Sequence, residues 1–166
     1  MPLTAGRFHP TRREPILWAM KIFARKDPWY LGGLAFQCQQ CGRCCEGPEE
    51  GYVWVTDEEI AAIAAHLGLT EAQMRRRYVR QVARRYSLVE QKGSRDCIFL
   101  QTDSSGRRRC RIYPVRPVQC RTWPFWPSNL SDPDTWAEAG RRCRGINCGE
   151  LVDYNEVEAR RRATDE

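Results

Sequence analysis

Four of the nine cysteines in this 166-residue chain form one short run, C-x2-C-x2-C-C, at Cys38, Cys41, Cys44 and Cys45. A packed core does not need a small apolar side chain at every third position. Two-residue gaps, in contrast, let the backbone curl so that successive thiolates face a common point, as ligands of a metal do. The run therefore predicts a metal site around which the rest of the chain must fold.

The other five cysteines are spread over the C-terminal half, at Cys97, Cys110, Cys120, Cys143 and Cys148. The odd total and the adjacent pair Cys44 and Cys45 do not suit a set of disulfides. The apolar stretch over 16–24 contains Lys21 and no small-residue cleavage site follows it, so it does not resemble an export signal. A cytoplasmic location is expected, where such a pattern favours metal binding or catalysis.

Length and composition limit the remaining choices. A chain of 166 residues predicts a single domain. No run approaches the roughly 20 apolar residues that cross a bilayer, so no transmembrane segment is predicted. The net charge of +6 permits contact with acidic partners without requiring it. We expect a protein partner or redox partner, whose identity does not follow from the sequence.

The chain is predicted to have three parts. Residues 1–33 form an N-terminal appendage with a helix over 16–26, residues 34–150 form the cysteine-cluster domain, and residues 151–166 form a C-terminal helix and tail. The apolar stripe of the first helix favours packing against the domain. Tryptophan and basic side chains over 15–30 leave contact with a membrane surface as the weaker alternative.

Two capping boxes predict helices after a short strand over 52–55. Thr56 with Glu59 opens a helix to about residue 67, and Thr70 with Gln73 opens a second helix to about residue 86. The outer face of the second helix would carry Arg75, Arg76, Arg77, Arg80, Arg84 and Arg85. Because no aromatic residue interleaves with this face, a solvated surface is favoured over a nucleic-acid groove.

Shorter elements are predicted for the second half of the chain. Strands over 87–90, 97–101 and 108–112, separated by turn residues, indicate a small antiparallel meander. Four prolines in 113–127 argue against regular structure there, and a short helix follows over 135–142. The predicted fold class is α+β: a small metal-stabilised domain with two to four helices, the meander, and much irregular loop around the cysteine cluster.

The spacing of the cysteines leaves two metals open. Cys38, Cys41 and Cys44 with a remote cysteine match the compact run that often holds an iron–sulfur cluster, although no Cys-Pro pair is present. Structural zinc sites usually have two separate C-x2-4-C pairs, of which only the first is here. An iron–sulfur cluster of the 4Fe–4S type is favoured and zinc is the alternative. Eight thiolates would saturate two centres of either kind, and one centre or two stays open.

Arginines and aromatic residues lie close to the cysteines in sequence. The arginines, which would offset the negative charge of a thiolate-bound metal, are Arg43, Arg111, Arg116, Arg121 and Arg144. The aromatic residues, which would form an apolar shell or serve equally well as ordinary core, are Tyr113, Trp123, Phe125 and Trp126. Of these, Arg43, Arg116, Arg121, Tyr113 and Trp123 are the predicted contacts of the bound group.

These motifs extend over most of the domain. They begin with Phe36-Gln37-Cys38 and Cys41-Gly42-Arg43-Cys44-Cys45, and continue with Cys97-Ile98-Phe99-Leu100 and Cys110-Arg111-Ile112-Tyr113. Arg116-Pro117, Cys120-Arg121, Trp123-Pro124-Phe125 and Cys143-Arg144-Gly145-Ile146 complete the set. Together they resemble the CxxCxxCC (YkgJ-type) cysteine-cluster proteins of bacteria, a family described as chelating zinc or iron.

The resemblance implies a metal site built from eight of the nine cysteines. Its ligands would be Cys38, Cys41, Cys44, Cys45, Cys97, Cys110, Cys120 and Cys143. Two departures from the family pattern concern Arg144, which stands where a proline is frequent, and Cys148, which is extra. Cys148 is therefore the expected spare thiol. The resemblance implies no particular reaction.

Three functions follow, in order of preference. The first is a metal-binding protein whose thiolates hold an iron–sulfur cluster, with a redox or electron-transfer role. The second is a structural zinc-binding adaptor module whose basic helix forms the contact surface. The third is a protein-modifying enzyme resembling flagellin lysine methylases, which carry a similar domain. It is less favoured because the sequence has no glycine-rich nucleotide loop after a strand and no Ser–His or Cys–His set.

Overall fold

The computed structural model describes residues 27–164, in which five α-helices and seven short strands are present. The helices are α1 (Asp57–His66), α2 (Glu71–Tyr78), α3 (Val118–Thr122), α4 (Pro133–Arg142) and α5 (Tyr154–Ala163). The strands are β1 (Leu34–Phe36), β2 (Val53–Val55), β3 (Val79–Val82), β4 (Arg85–Leu88), β5 (Leu100–Thr102), β6 (Arg108–Cys110) and β7 (Ile146–Val152). The α+β class is confirmed, with one helix more than the upper limit expected. The predicted helix over 16–26 lies outside the described residues.

Local capping chemistry explains where three of the helices begin. The Thr56 hydroxyl accepts from the Glu59 N–H and the Glu59 carboxylate accepts from the Thr56 N–H, so both halves of the predicted box form. The same reciprocal pair is present at Thr70 and Gln73. Asp132 caps α4 in a similar way, with a proline at the first helical position. α1 and α2 therefore start where the sequence predicts, and α4 starts at Pro133, two residues before the predicted start at 135.

The second helix is shorter than predicted, because its expected last two turns form a hairpin. α2 ends at Tyr78, and Val79–Val82 pairs antiparallel with Arg85–Leu88. Ala83, in the turn between them, has a φ of 52°, which breaks a right-handed helix. Pairing with β4 and the β-branched valines override the apolar period of four. The predicted basic helical face is consequently divided between a helix and a hairpin.

The strands form three separate antiparallel sheets instead of one meander. β2 and β3 flank β4, β5 pairs with β6, and β1 pairs with β7. Cys97 lies outside β5 and makes only an isolated bridge with Glu90. β7 was not predicted, because Asn147, Gly149 and Glu150 interrupt its apolar residues and leave only a weak strand pattern; pairing with β1 holds it in place. It also delays the C-terminal helix, which begins at Tyr154 rather than near Glu150.

The proline-rich segment contains regular structure after all. Pro117 lies at the N-cap of α3, where a missing N–H costs no helical hydrogen bond, and so the helix can follow it. The Glu59 carboxylate accepts from the Val118 N–H at 2.6 Å and ties α3 to α1. The prediction of irregular structure throughout 113–127 is therefore wrong at α3, the helix that carries Cys120.

Two hydrophobic clusters make up the core. One is largely aliphatic and contains Val55, Ile60, Ile63, Ala64, Met74, Leu88, Phe99 and Ile112. The other is rich in aromatic residues and contains Tyr30, Leu34, Phe125, Leu130, Trp136, Ala139, Ile146 and Val157. Cys97 and Cys110 pack against the aliphatic cluster, whereas Cys143 packs against the aromatic cluster. The remote cysteines thus approach one another from both sides of the core.

Candidate metal centre

The cysteines meet at a small cavity of about 70 Å³. Eight of them line it, namely Cys38, Cys41, Cys44, Cys45, Cys97, Cys110, Cys120 and Cys143. These are the eight residues predicted as ligands. Cys148 is exposed on β7 and does not line the cavity. Residues separated by more than a hundred positions in the chain are therefore brought to one place.

A tight turn brings the adjacent pair of cysteines to the same side. Gly42 has a φ of 73°, and a Cβ there would stand 2.7 Å from the Leu100 Cδ1. This position therefore favours glycine for both backbone and space. A single 3-10 turn, Arg43–Cys45, follows it, and the Sγ atoms of Cys44 and Cys45 stand 3.8 Å apart. The turn lets both thiols of this adjacent pair line the same cavity, whereas in an extended stretch they would point to opposite sides.

The remote cysteines reach the cavity from four different elements. The Cys97 N–H donates to the Cys45 carbonyl at 2.8 Å, which fixes the loop before β5 against the cysteine run. Cys110 ends β6 opposite Leu100, and Cys120 lies within α3. Cys143 follows the last residue of α4. The secondary structure around each cysteine, and not the run alone, determines the shape of the site.

The thiols at the centre of the site influence one another. A hydrogen bond with the Cys45 thiol, together with the positive charges of Arg116 and Arg142, lowers the pKa of Cys44 to about 7. Hydrogen bonds to Cys44 and Cys97 raise the pKa of Cys45, and the pKa of Cys97 is lowered through the same contact with Cys45. Cys45 therefore holds its proton more tightly than Cys44 and Cys97 hold theirs.

Burial raises the pKa of the two thiols on the inner wall. Desolvation raises the pKa of Cys110, and it raises the pKa of Cys120 well above the ordinary value. Nearby thiolates at Cys44 and Cys97 act in the same direction. A metal binds thiolate, so binding here would release protons and would depend on pH.

The arginines beside the cavity are free of carboxylate partners. Arg43, Arg116 and Arg121 line it, and within residues 27–164 none of them has a carboxylate oxygen within 4.0 Å. Arg116 instead donates to the Tyr113 carbonyl and lies over the Tyr113 ring at 3.7 Å, and Arg121 donates to the Arg116 carbonyl. By contrast, Arg108 has two carboxylate partners. Uncompensated guanidinium groups favour an anionic group in the cavity.

One functional residue was missed by sequence reasoning. Arg142 donates from Nε to the Arg43 carbonyl and from Nη2 to the Glu46 carbonyl, which holds the turn that carries Cys44 and Cys45. Its charge also lowers the pKa of Cys44. Its position directly before Cys143 in the sequence could have identified Arg142 as a neighbour of the site. Arg111 and Arg144, which were considered, are exposed and do not line the cavity.

The aromatic residues divide between the cavity and the core. Tyr113 and Trp123 line the cavity, whereas Phe125 is fully buried in the aromatic cluster. Burial and a hydrogen bond with Cys38 raise the pKa of Tyr113. The indole Nε1 of Trp123 is buried and has no hydrogen-bond partner in the described part of the chain. The indole of Trp126, in contrast, donates to the Gln119 carbonyl at 2.9 Å.

The donor set suits thiophilic metals, although it is not closed around a single ion. Among the described residues, 27–164, no histidine or carboxylate side chain lines the cavity: besides cysteine, its titratable lining residues are Tyr113 and arginines. Thiolate-only sites select zinc, copper(I) or iron–sulfur clusters. Among residues 27–164, no three histidine, cysteine or carboxylate side chains already surround one point as ligands of an ion would. The thiols instead line the wall of the cavity, without surrounding a single ion position.

Aromatic rings lie beside two arginines of the predicted basic face. Arg80 lies over the Tyr52 ring at 4.8 Å and Arg85 lies over the Trp54 ring at 4.0 Å. These rings stack on each other with centroids 5.0 Å apart. The stated absence of interleaved aromatic residues is therefore wrong, because the hairpin brings β2 beside the arginines. Contact with nucleic acid stays untested and is still not expected.

The fold and the cavity define a small α+β protein with a cavity lined by eight cysteines. The chain belongs to the CxxCxxCC family, described as "Putative zinc- or iron-chelating domain", whose model matches residues 37–148. It is 32% identical over 144 residues to the uncharacterized protein MJ0661 of Methanocaldococcus jannaschii, covering 84% of this chain and 71% of that protein. No solved structure matches the chain.

The structure of residues 27–164 also tests whether part of the chain could span or contact a membrane. No helix within residues 27–164 has the length and apolar character to cross a bilayer. Trp29, which belongs to the segment considered for membrane-surface contact, packs against the aromatic cluster and donates to the Leu130 carbonyl at 2.9 Å. The rest of that segment, before residue 27, lies outside the described residues. The cytoplasmic location, the partner and the three-part division of the chain stay predictions.

Proposed function

We propose that the cysteine cavity holds an iron–sulfur cluster and that the protein serves in electron transfer or a related redox role. The observation that carries this proposal is the convergence of eight thiols from distant parts of the chain on one cavity, which no histidine of the described residues 27–164 lines. Family membership supports zinc or iron as the metal. In the proposed role the thiolates keep the cluster in place while one electron passes from a reduced protein donor to an oxidised acceptor.

Two features favour a cluster over a single ion. The eight thiols line the wall of a cavity of about 70 Å³. Ligands of a cluster bind different irons and are therefore farther apart than ligands of one ion. A compact run with remote cysteines is also the usual arrangement for such clusters.

The residues around the thiols have defined roles in this proposal. A thiolate-bound cluster carries net negative charge, which Arg43, Arg116 and Arg121 offset because they have no carboxylate partners. Tyr113 and Trp123 limit the access of water from the same wall. Nearby positive charge stabilises the reduced, more negative state of a cluster, whereas exclusion of water disfavours that state, so the two act on the reduction potential in opposite directions.

Structural zinc is the second candidate, and one distance favours it. A tetrahedral zinc with Zn–S bonds of about 2.3 Å has ligand sulfurs about 3.8 Å apart. The Sγ atoms of Cys44 and Cys45 have this separation, 3.8 Å. Two thiols so close together can share one metal but cannot each serve a different iron of one cubane. An iron–sulfur site would then use only one of this pair at a given cluster.

Metal and sulfide analysis of protein purified without oxygen tests the proposal. We expect a brown protein that contains iron and acid-labile sulfide and absorbs near about 400 nm, as thiolate-bound clusters do. Reduction by dithionite should bleach this absorbance, and reoxidation should restore it. A colourless protein that retains stoichiometric zinc under the same conditions would overturn the iron–sulfur proposal in favour of the structural zinc site.

A further inference from the structure

Two buried side-chain nitrogen atoms among residues 27–164 have no hydrogen-bond partner, and they are not equivalent. One is Nε of Arg80, whose Nη1 and Nη2 atoms donate to Glu50 and to the Gly51 carbonyl. That guanidinium is satisfied through its other donors. The second is Nε1 of Trp123, and an indole has a single donor. Trp123 is thus a buried polar group with none of its hydrogen-bonding capacity used.

A lone donor buried away from water is unfavourable, and native folds leave few of them without an explanation. The position of Trp123 supplies one. Its side chain lines the cysteine cavity, and it also lines an adjoining groove of about 420 Å³ together with Cys44, Cys45 and Cys97. The indole therefore lies at the wall shared by the two spaces, which Cys44, Cys45 and Cys97 also line.

Trp126 provides an internal comparison. The two indole rings contact each other edge to face, with centroids 4.8 Å apart and planes at 83°. Trp126 lines the groove but not the cysteine cavity, and its Nε1 donates to the Gln119 carbonyl at 2.9 Å. Gln119 is itself fixed, because its side chain accepts from the Trp54 N–H and donates to the Tyr52 carbonyl. Trp123 therefore packs on a rigid neighbour whose own donor is satisfied.

We propose that the indole N–H of Trp123 donates a hydrogen bond to a sulfur atom of the metal centre and thereby sets its reduction potential. This inference rests on the proposed function for its redox consequence, but the hydrogen bond itself requires only a metal-bound sulfur. The positive end of an N–H dipole stabilises the reduced centre more than the oxidised one, because the reduced centre is more negative. Hydrogen bonds to sulfur are among the factors that set such potentials.

The reduction potential of matched variants tests the redox consequence. Trp123→Phe removes the N–H and keeps a ring of similar packing, and Trp126→Phe is the control. We expect Trp123→Phe to shift the midpoint potential of the anaerobically loaded protein to a lower value, while Trp126→Phe retains the wild-type potential. An unchanged potential in Trp123→Phe, or an equal shift in both variants, would overturn the proposal.

Exchange of the indole proton in zinc-loaded protein, which is diamagnetic, gives a second readout that does not depend on redox chemistry. The six tryptophans give six indole signals at most in a ¹⁵N spectrum, and the one lost in Trp123→Phe identifies Trp123. If Trp123→Phe does not fold, the signal lost in Trp126→Phe identifies Trp126, and selective labelling assigns the Trp123 signal among those that remain. We expect the Trp123 proton to exchange with solvent deuterium at least as slowly as that of Trp126.

The two readouts separate failure of this inference from failure of the proposed function. If the protein takes up only zinc, no potential can be measured and the iron–sulfur proposal falls, whereas slow exchange of the Trp123 proton would still support the hydrogen bond. Fast exchange of that proton in the metal-loaded protein, while Trp126 remains protected, would overturn the inference whatever the metal.

Discussion

Two buried groups of polar side chains in this protein differ in whether other residues of the chain supply all their hydrogen-bond and charge partners. In the first, the Glu158 carboxylate accepts from the Tyr30 hydroxyl at 2.7 Å and from two nitrogens of Arg161 at 2.7 and 2.9 Å. Every polar group there has a partner from the protein. In the second, the cysteine cavity, eight thiols and the Trp123 N–H meet without such closure, beside arginines that lack carboxylates.

The difference indicates which part of the fold is stable without a bound metal. A fully satisfied buried network stabilises and specifies a structure, whereas a partly satisfied one is costly until something completes it. The Glu158 network joins α5 to the Tyr30 turn within the aromatic cluster. The cavity lies between residues that pack on both clusters, so the group that completes it also holds the two clusters together. We expect stability to depend on metal mainly through this second site.

Removal of a single thiol from the cysteine run should have the largest effect. We expect Cys41→Ser and Cys44→Ser each to abolish metal retention and to lower the melting temperature strongly, because metal affinity in small metallodomains is folding free energy, about 10–16 kcal/mol for zinc-finger peptides. Metal-to-protein ratios and thermal unfolding with and without a chelator measure this. If both variants retained full metal and the wild-type melting temperature, the site would lie elsewhere.

The parts of the fold that the sequence predicted are those with local causes. Thr56 with Glu59 and Thr70 with Gln73 form their capping boxes from residues three apart, so nothing distant could alter them. The convergence of the eight cysteines was also foreseen, since a metal site gives distant thiols a common reason to meet. That prediction needed the family resemblance to exclude Cys148, because spacing alone did not identify the spare thiol.

The parts that sequence could not predict depend on distant partners. Val79–Val82 has an apolar spacing that fits a helix, but β4 pairs with it and makes it a strand. β7 has a weak strand pattern and forms because β1 is available. Arg142 becomes part of the site only because the end of α4 lies beside the 3-10 turn at Arg43–Cys45. In each case tertiary contact decides between states that are close in local free energy.

Acidification should weaken the hydrogen-bond network around Glu158, and this effect does not depend on a bound metal. Hydrogen bonds and charge from Arg161, aided by the Tyr30 hydroxyl, lower the pKa of Glu158 from 4.5 to about 2. A carboxylate whose pKa is lowered by folding stabilises the fold above its unfolded pKa, and that contribution is lost as the pH falls toward the folded pKa. We expect about 1.5–3 kcal/mol to be lost between pH 4.5 and pH 2, the scale of hydrogen bonds to a charged group.

The Glu158→Gln variant isolates this contribution from that of the other carboxylates. Denaturant unfolding at a series of pH values should show the variant less stable than wild type near pH 7, with the difference shrinking as the pH falls toward 2. The measurement should be repeated with the metal bound and removed where the metal-free protein still unfolds cooperatively. A difference between the two proteins that did not change with pH would contradict the assigned pKa of Glu158.

The smallest effect is expected at Cys148, which belongs to neither arrangement. Its side chain is exposed, it does not line the cavity, and its backbone N–H donates to the Gly145 carbonyl whatever the side chain. Cys148→Ser should keep the wild-type metal content and change the free energy of unfolding by no more than about 0.5 kcal/mol. In metal-loaded wild-type protein, iodoacetamide should modify Cys148 first, because the eight cavity thiols are then bound to metal. Loss of metal in Cys148→Ser, or protection of Cys148 from iodoacetamide, would add a ninth thiol to the site.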